Sequence, residues 1–180
     1  MNSYSWFIEL LLQKGWSFSP LTEKQGDDLS LASNRALNLI KATPQSFQAF
    51  IHSFQKLSSS GEDSWFLSYS DYLESNDAGF SWNEYEKLSI QAAEEDGDDD
   101  EKAFLIEFWN SYLPFACSLR NGYAYLAIGI FGANKGKIIY GREPMFEEFS
   151  VEAESFEELL DSFALTLTSQ KESIRLLDFI

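Results

Sequence analysis

The sequence predicts an α+β fold, with helices packed on an antiparallel meander of strands in a single domain spanning 1–180. Three observations predict it. The N-terminal half repeats large apolar residues at helical spacing, the C-terminal half changes to a period of two broken by turn residues, and the chain closes on a capped amphipathic helix. A composition of 44% hydrophobic and 16% aromatic residues, including 16 Phe, 8 Tyr and 5 Trp, offsets the entropy of ordering 180 residues around one core.

The elements follow in order. Trp6, Phe7, Leu10 and Leu11 share one helical face and Gly15 ends that helix. Pro20 and Thr22 open a polar, poorly periodic stretch to about Ser33. Leu37, Ile40 and Pro44 then lead into a second helix carrying Phe47, Phe50, Ile51 and Phe54. Leu57 to Asp63 reads as a Ser/Gly-rich turn and the aromatic run Trp65 to Tyr69 as a strand. Trp82, Tyr85, Leu88 and Ala92 fall on one face of a third helix, with Glu84, Glu86 and Lys87 mostly toward water. The run Glu94-Glu95-Asp96-Gly97-Asp98-Asp99-Asp100-Glu101 packs seven carboxylates into eight residues. Their mutual repulsion makes it a solvated loop or a negatively charged lead-in to the next helix. Ala103 to Leu113 is helical, with Phe104, Ile106, Phe108 and Trp109 apolar and Pro114 marking its end.

Beyond Pro114 the period is two. Phe115 to Leu119 is a strand, Asn121-Gly122 a two-residue hairpin signal, and Tyr123 to Ile130 an alternating strand. Gly132 to Gly136 is a turn, Lys137 to Tyr140 a short strand, and Met145-Phe146 a further edge. Ser155 and Glu158 form a capping box for a last helix with Phe156, Leu159, Leu160, Phe163 and Leu167 on its core face.

Charge and residue types narrow the function. Thirteen Lys and Arg against 29 Asp and Glu leave a net charge of -16, which opposes nucleic acid and anionic membranes and favours a basic partner. The apolar stretch from Trp6 to Leu12 contains Glu9 and lacks a basic lead-in and a cleavage site, and no window reaches the length of a spanning helix. With the single cysteine, Cys117, this predicts a cytoplasmic protein without disulfides.

Catalysis has few candidates. His52, the sole histidine, reads as a helix-surface or boundary residue, and Cys117 as a small apolar filler of a buried strand. Zinc lacks a ligand cluster. Asp96, Asp98, Asp100 and Glu107 have calcium-loop spacing, but Glu101 stands where that loop needs glycine and Ala103 to Phe108 reads better as helix. The glycines of 129–136 belong to hairpin turns rather than to a phosphate cradle. No catalytic residue, cofactor or metal is therefore predicted; the protein is expected not to be an enzyme.

The runs Leu113-Pro114-Phe115, Asn121 to Ala127, Gly136-Lys137-Ile138 and Ser155 to Leu160 resemble the SUKH superfamily, as do Pro44 with Phe47, Phe50 and Ile51, and Trp65-Phe66-Leu67. Thr43 stands where that family usually has leucine, and Ser58 to Gly61 replaces its Asn-Gly-Gly turn. The resemblance implies helices on an antiparallel sheet. For a bacterial member it implies an immunity protein that binds and neutralises a cognate polymorphic or contact-dependent toxin, often a nuclease. For a member like the fungal Knr-type cell-wall assembly regulators it implies a regulatory adaptor with no toxin partner. Under the first reading Asp96, Asp98, Asp99, Asp100 and Glu101, together with Glu143, Glu147 and Glu148, would contact a basic toxin domain.

Overall fold

The computed structural model describes residues 4–21, 34–73, 80–170 and 173–180. Among them seven strands form one sheet in chain order, every neighbouring pair antiparallel, so the predicted meander and α+β class are both present. The strands are β1 (Ser17–Pro20), β2 (Phe54–Ser58), β3 (Ser64–Phe66), β4 (Tyr112–Ser118), β5 (Ala124–Gly129), β6 (Ile138–Arg142) and β7 (Phe149–Ala153). The helices are α1 (Ser5–Gln13), α2 (Asn34–Lys41), α3 (Gln45–Ile51), α4 (Tyr69–Leu73), α5 (Glu84–Asp96), α6 (Asp99–Ser111) and α7 (Phe156–Leu167). No helix among the described residues is long and apolar enough to cross a membrane.

Residues paired across an antiparallel sheet share a face. One face therefore carries Phe66, Ala116, Leu126 and Tyr140, and the other Trp65, Cys117, Tyr125, Gly141 and Phe149. On the first, Phe50 of α3 meets Phe7 of α1, Phe66 of β3 and Phe156 of α7 at ring-centroid distances of 6.3, 5.5 and 5.1 Å. The C-terminal segment closes this face: Ser64 Oγ donates to the Phe179 carbonyl at 3.0 Å and Tyr140 Oη donates to Asp178 at 2.5 Å. On the second face, Tyr85 of α5 and Trp109 of α6 lie 5.5 and 5.2 Å from the ring of Tyr125. The sheet is thus a middle layer, and its central strands β4 and β5 are buried throughout.

Several elements differ from the sequence reading, each for a local reason. The stripe of α1 is Phe7, Ile8 and Leu11, and Trp6 faces outward. Leu37 and Ile40 lie on a helix of their own, α2, and Pro44 starts a separate α3. Phe54 begins β2 rather than continuing α3, because the helix stops at His52 and Leu57 and Ser58 pair with β3. Leu57 therefore lies in a strand, the turn is confined to 59–63, and Tyr69 opens α4. Pro114 sits inside β4, where its register slips between Pro114 and Ala116; this bulge tolerates a residue without an amide hydrogen and turns Phe115 and Ala116 toward the same face. The Asn121-Gly122 hairpin is present, with 119–123 as its connection. Met145-Phe146 is not a strand: Phe146 is buried and accepts from Tyr125 Oη at 2.5 Å, and the edge strand is β7. Strand β1, to which the sequence reading assigned no element, ends at Pro20 where the stretch read as irregular begins, and 22–33 lies outside the described residues. The Ser155 cap is as expected, its Oγ accepting from Glu158 N at 3.2 Å.

Candidate interaction surface

The acidic run is a helical turnaround. Glu94, Glu95 and Asp96 finish α5, and Gly97 reverses the chain with φ +70°, a conformation that disfavours side chains. Asp98 caps α6 by accepting from Glu101 N at 2.9 Å, while Asp99, Asp100 and Glu101 form its first turn. Of the two readings of this run, the negatively charged lead-in is the one present; a loop is not. The three carboxylates of that turn complement the helix macrodipole, whereas the three at the end of α5 oppose it. Lys102 crosses between the helices to Glu94 at 2.6 Å, and all eight residues of 94–101 are exposed.

A pair invisible to periodicity fixes this hairpin. Arg35 of α2 donates to both carboxylate oxygens of Glu86 at 2.8 and 2.7 Å, to Asn110 Oδ1 at 2.9 Å and to the Trp109 carbonyl at 3.0 Å. Its guanidinium also lies 5.5 Å from the Trp82 ring centroid. Glu86 is therefore buried rather than turned to water, because a buried carboxylate is retained where a charged partner satisfies it, here Arg35 Nη1 donating to both of its oxygens. The buried side of α5 is Tyr85, Glu86, Ser89 and Ala93; Leu88 and Ala92 are exposed. Ser89 accepts from Trp109 Nε1 at 2.9 Å, locking α5 to α6.

The remaining carboxylates are dispersed. Glu143 is half-buried, donates its backbone N–H to the Tyr123 carbonyl at 2.9 Å, and packs beside Gly122. Glu147 is half-buried and Glu148 exposed, and both precede β7. None of these three touches 94–101 directly. What connects the two regions is aromatic: Phe149 of β7 lies 5.9 Å from Phe108 and 5.3 Å from Tyr112, at the end of α6.

That seam opens into a cavity of about 490 Å³ lined by Phe104, Glu107, Phe108, Tyr112, Phe131 and Asn134, among others. Phe104 and Phe131 are 55% and 58% exposed. The wall bearing Phe131 is held by Gly129, over which the Asn134 carbonyl packs so closely that a Cβ would strike it, and by Asn134 Nδ2 donating to Tyr112 Oη at 2.9 Å. On α6, positions 100, 101, 104, 107, 108 and 111 fall on one stripe, so Asp100 and Glu101 share the face of Phe104. Sequence reading placed Phe104 and Ile106 with the helix's apolar residues; both are exposed, and the core side is Leu105, Phe108 and Trp109.

The nucleophile and base candidates are placed apart from this surface. Cys117 is fully buried beneath α5, and burial pushes its thiol well above the usual range. Burial also raises the hydroxyls of Tyr72 and Tyr85, which donate to the Pro114 and Ala124 carbonyls at 2.7 and 3.0 Å. His52 caps α3, exposed and stacked on Tyr69 with centroids 3.8 Å apart, and partial burial lowers its pKa. The span of the calcium-like spacing is occupied by the end of α5 and by α6, with Glu107 on the helix. Among the described residues no group of three or more His, Cys, Asp or Glu side chains is placed to hold a metal ion.

Comparison of the chain with protein-family models gives no match, and a search of curated proteins finds no relative.

Proposed function

We propose that this chain is a non-catalytic, cytoplasmic binding protein of the SUKH kind, an immunity protein that neutralises a cognate toxin by covering a basic surface of it. The observation that carries the reading is where the acidic charge sits. Glu94, Glu95 and Asp96 occupy the last turn of α5, where the macrodipole already presents negative charge, so they cost stability to the fold that displays them. Capping explains Asp98, Lys102 pairs with Glu94, and Glu95 accepts from Gln91 Nε2 at 2.8 Å within its own helix, but no ion pair among the described residues neutralises Glu95 or Asp96. A basic partner does, and a nuclease toxin must be basic where it holds its substrate. The non-catalytic part of the reading is supported by the placement of Cys117, buried in β4, and His52, exposed at the end of α3, which do not form a nucleophile–base pair with each other.

The test is co-elution with the protein encoded by the neighbouring open reading frame, followed by stopped-flow association across salt. Association should slow roughly tenfold or more between low and high salt if charge steers the encounter. Salt-independent association sinks the electrostatic part. A neighbour that neither resembles a toxin nor binds transfers the reading to the regulatory adaptor.

A further inference from the structure

We infer that the cavity between α6 and the 131–134 turn is a docking site for a segment of a basic partner protein that presents one large apolar side chain between lysines or arginines. The inference rests on the binding role proposed above and assigns it a place. Phe104 and Phe131 both line the cavity and are each more than half exposed, and the buried Phe108 and Tyr112 line it with them. A monomer gains nothing by holding two phenyl rings in water on a rigid helix and a tight turn, and such rings become anchors when a partner excludes the water.

The charge around the rings selects the occupant. Asp100 and Glu101 continue the stripe of Phe104 toward the start of α6, Glu107 lines the cavity, and Glu147 and Glu148 precede the Phe149 that extends the seam. On the turn side Lys135 follows Asn134, and Lys137 is paired with Glu154 at 2.8 Å. The carboxylates outnumber these cations, and the whole chain carries -16, so a second copy, a nucleic acid or an anionic membrane would be repelled from the rim. An apolar anchor flanked by cations satisfies rings and rim together, with cation–π contact to the phenyl faces as a further gain.

The probes are short synthetic peptides: one with tryptophan between arginine–lysine pairs, one with serine in place of the tryptophan, and one with tryptophan between glutamate pairs. Amide chemical shifts of the labelled protein should move at 104, 108 and 131–134 with the first peptide, which should bind at least about tenfold more tightly than either control. Phe104→Ser with Phe131→Ser should abolish that preference while the circular dichroism and melting temperature stay as in the wild type. Equal binding of the tryptophan and serine peptides, or shifts mapping elsewhere, overturns the site. The neighbouring gene's product separates the two levels. A partner that binds the double variant as tightly as the wild type overturns the docking site and leaves the binding role standing. A basic partner that binds neither protein overturns the role itself.

Discussion

On the face of the sheet that carries Phe66, Leu126 and Tyr140, helices α1, α3 and α7 and the C-terminal segment bury every one of those side chains. On the opposite face α5 and α6 cover Cys117 and Tyr125 as completely, but their cover stops short of the β7 edge, where Phe149 and Val151 are partly exposed. The same aromatic-rich composition serves both. Rings on the first face meet other rings from three helices, whereas Phe104 and Phe131 beside the second line an open groove. Burial on the closed face stabilises the fold, and the uncovered apolar area of the open face is free energy still available to a partner. Substitutions should separate these roles.

The largest effect belongs to the closed face. Phe50 is fully buried where α1, α3, α7 and β3 converge, and its ring lies 5.1 Å from Phe54 and 5.8 Å from Tyr4 in addition to the contacts described above. Phe50→Ala should cost about 3–5 kcal/mol in urea unfolding, since rings fixed by several elements cannot collapse into the space left behind. A loss below about 1 kcal/mol would mean that this face is no more constrained than the other.

Alkaline titration probes the same face through Tyr140. Burial, and then the hydrogen bond to Asp178, push its hydroxyl up from 10.0 to about 12. The folded pKa is the higher one, so the stabilisation is fully present below pH 10 and is lost as pH rises from 10 toward 12, where only the unfolded chain releases the proton. Tyr140→Phe removes this release. The stability gap between wild type and variant should therefore narrow by up to about 2–3 kcal/mol over that window, measured as urea midpoints at successive pH values. A constant gap would place Tyr140 in water.

The closed face was also the more legible in the sequence. Phe47, Phe50, Phe156 and Phe163 announce themselves by helical period, and the Ser155 cap and the Asn121-Gly122 turn by residue type. The same periodicity misled at Phe54, which continues the Phe47–Phe50 spacing although the chain has left the helix; hydrophobic period records apolar demand, not the backbone that meets it. Strand β1 has only Phe18 as an apolar signal and owes its existence to pairing with β2. The open face hides its features differently. Glu86 is buried because Arg35, 51 residues earlier, meets it, and no local pattern encodes that. Phe104 read only as one of four apolar residues of its helix, and Phe131 fell in the glycine-containing turn segment of 129–136, because sequence tells an apolar residue but not whether anything covers it. The acidic run was visible at once, yet its split into cap, first turn and last turn depends on Gly97.

That split sets a smaller effect. Asp98→Ala removes the side chain that accepts from Glu101 N and should cost about 1 kcal/mol, as cap removal does elsewhere. Glu95→Gln with Asp96→Gln should instead leave stability unchanged or raise it by a few tenths of a kcal/mol, since these carboxylates oppose the α5 dipole. For the same reason lysine reversals at Asp98, Asp99 and Asp100 would confuse partner binding with fraying of α6, and neutral amides at Glu95 and Asp96 are the cleaner probe. Equal losses at both ends of the run, read by thermal melts, would erase the distinction between structural and surplus charge.

The smallest effect is the most discriminating. Phe104 lies on the exposed stripe of α6 at 55% exposure, and serine and phenylalanine have similar helix propensity. Phe104→Ser should therefore change unfolding free energy by no more than about 0.5 kcal/mol, the range of ordinary surface substitutions. Phe50 and Phe104 are the same residue type, each on a helix over the same sheet. Only the covering differs, three further elements in one case and a groove in the other. A Phe104→Ser loss approaching that of Phe50→Ala would mean that the ring is buried by neighbours, the groove is closed, and no apolar area is left on this face for a partner.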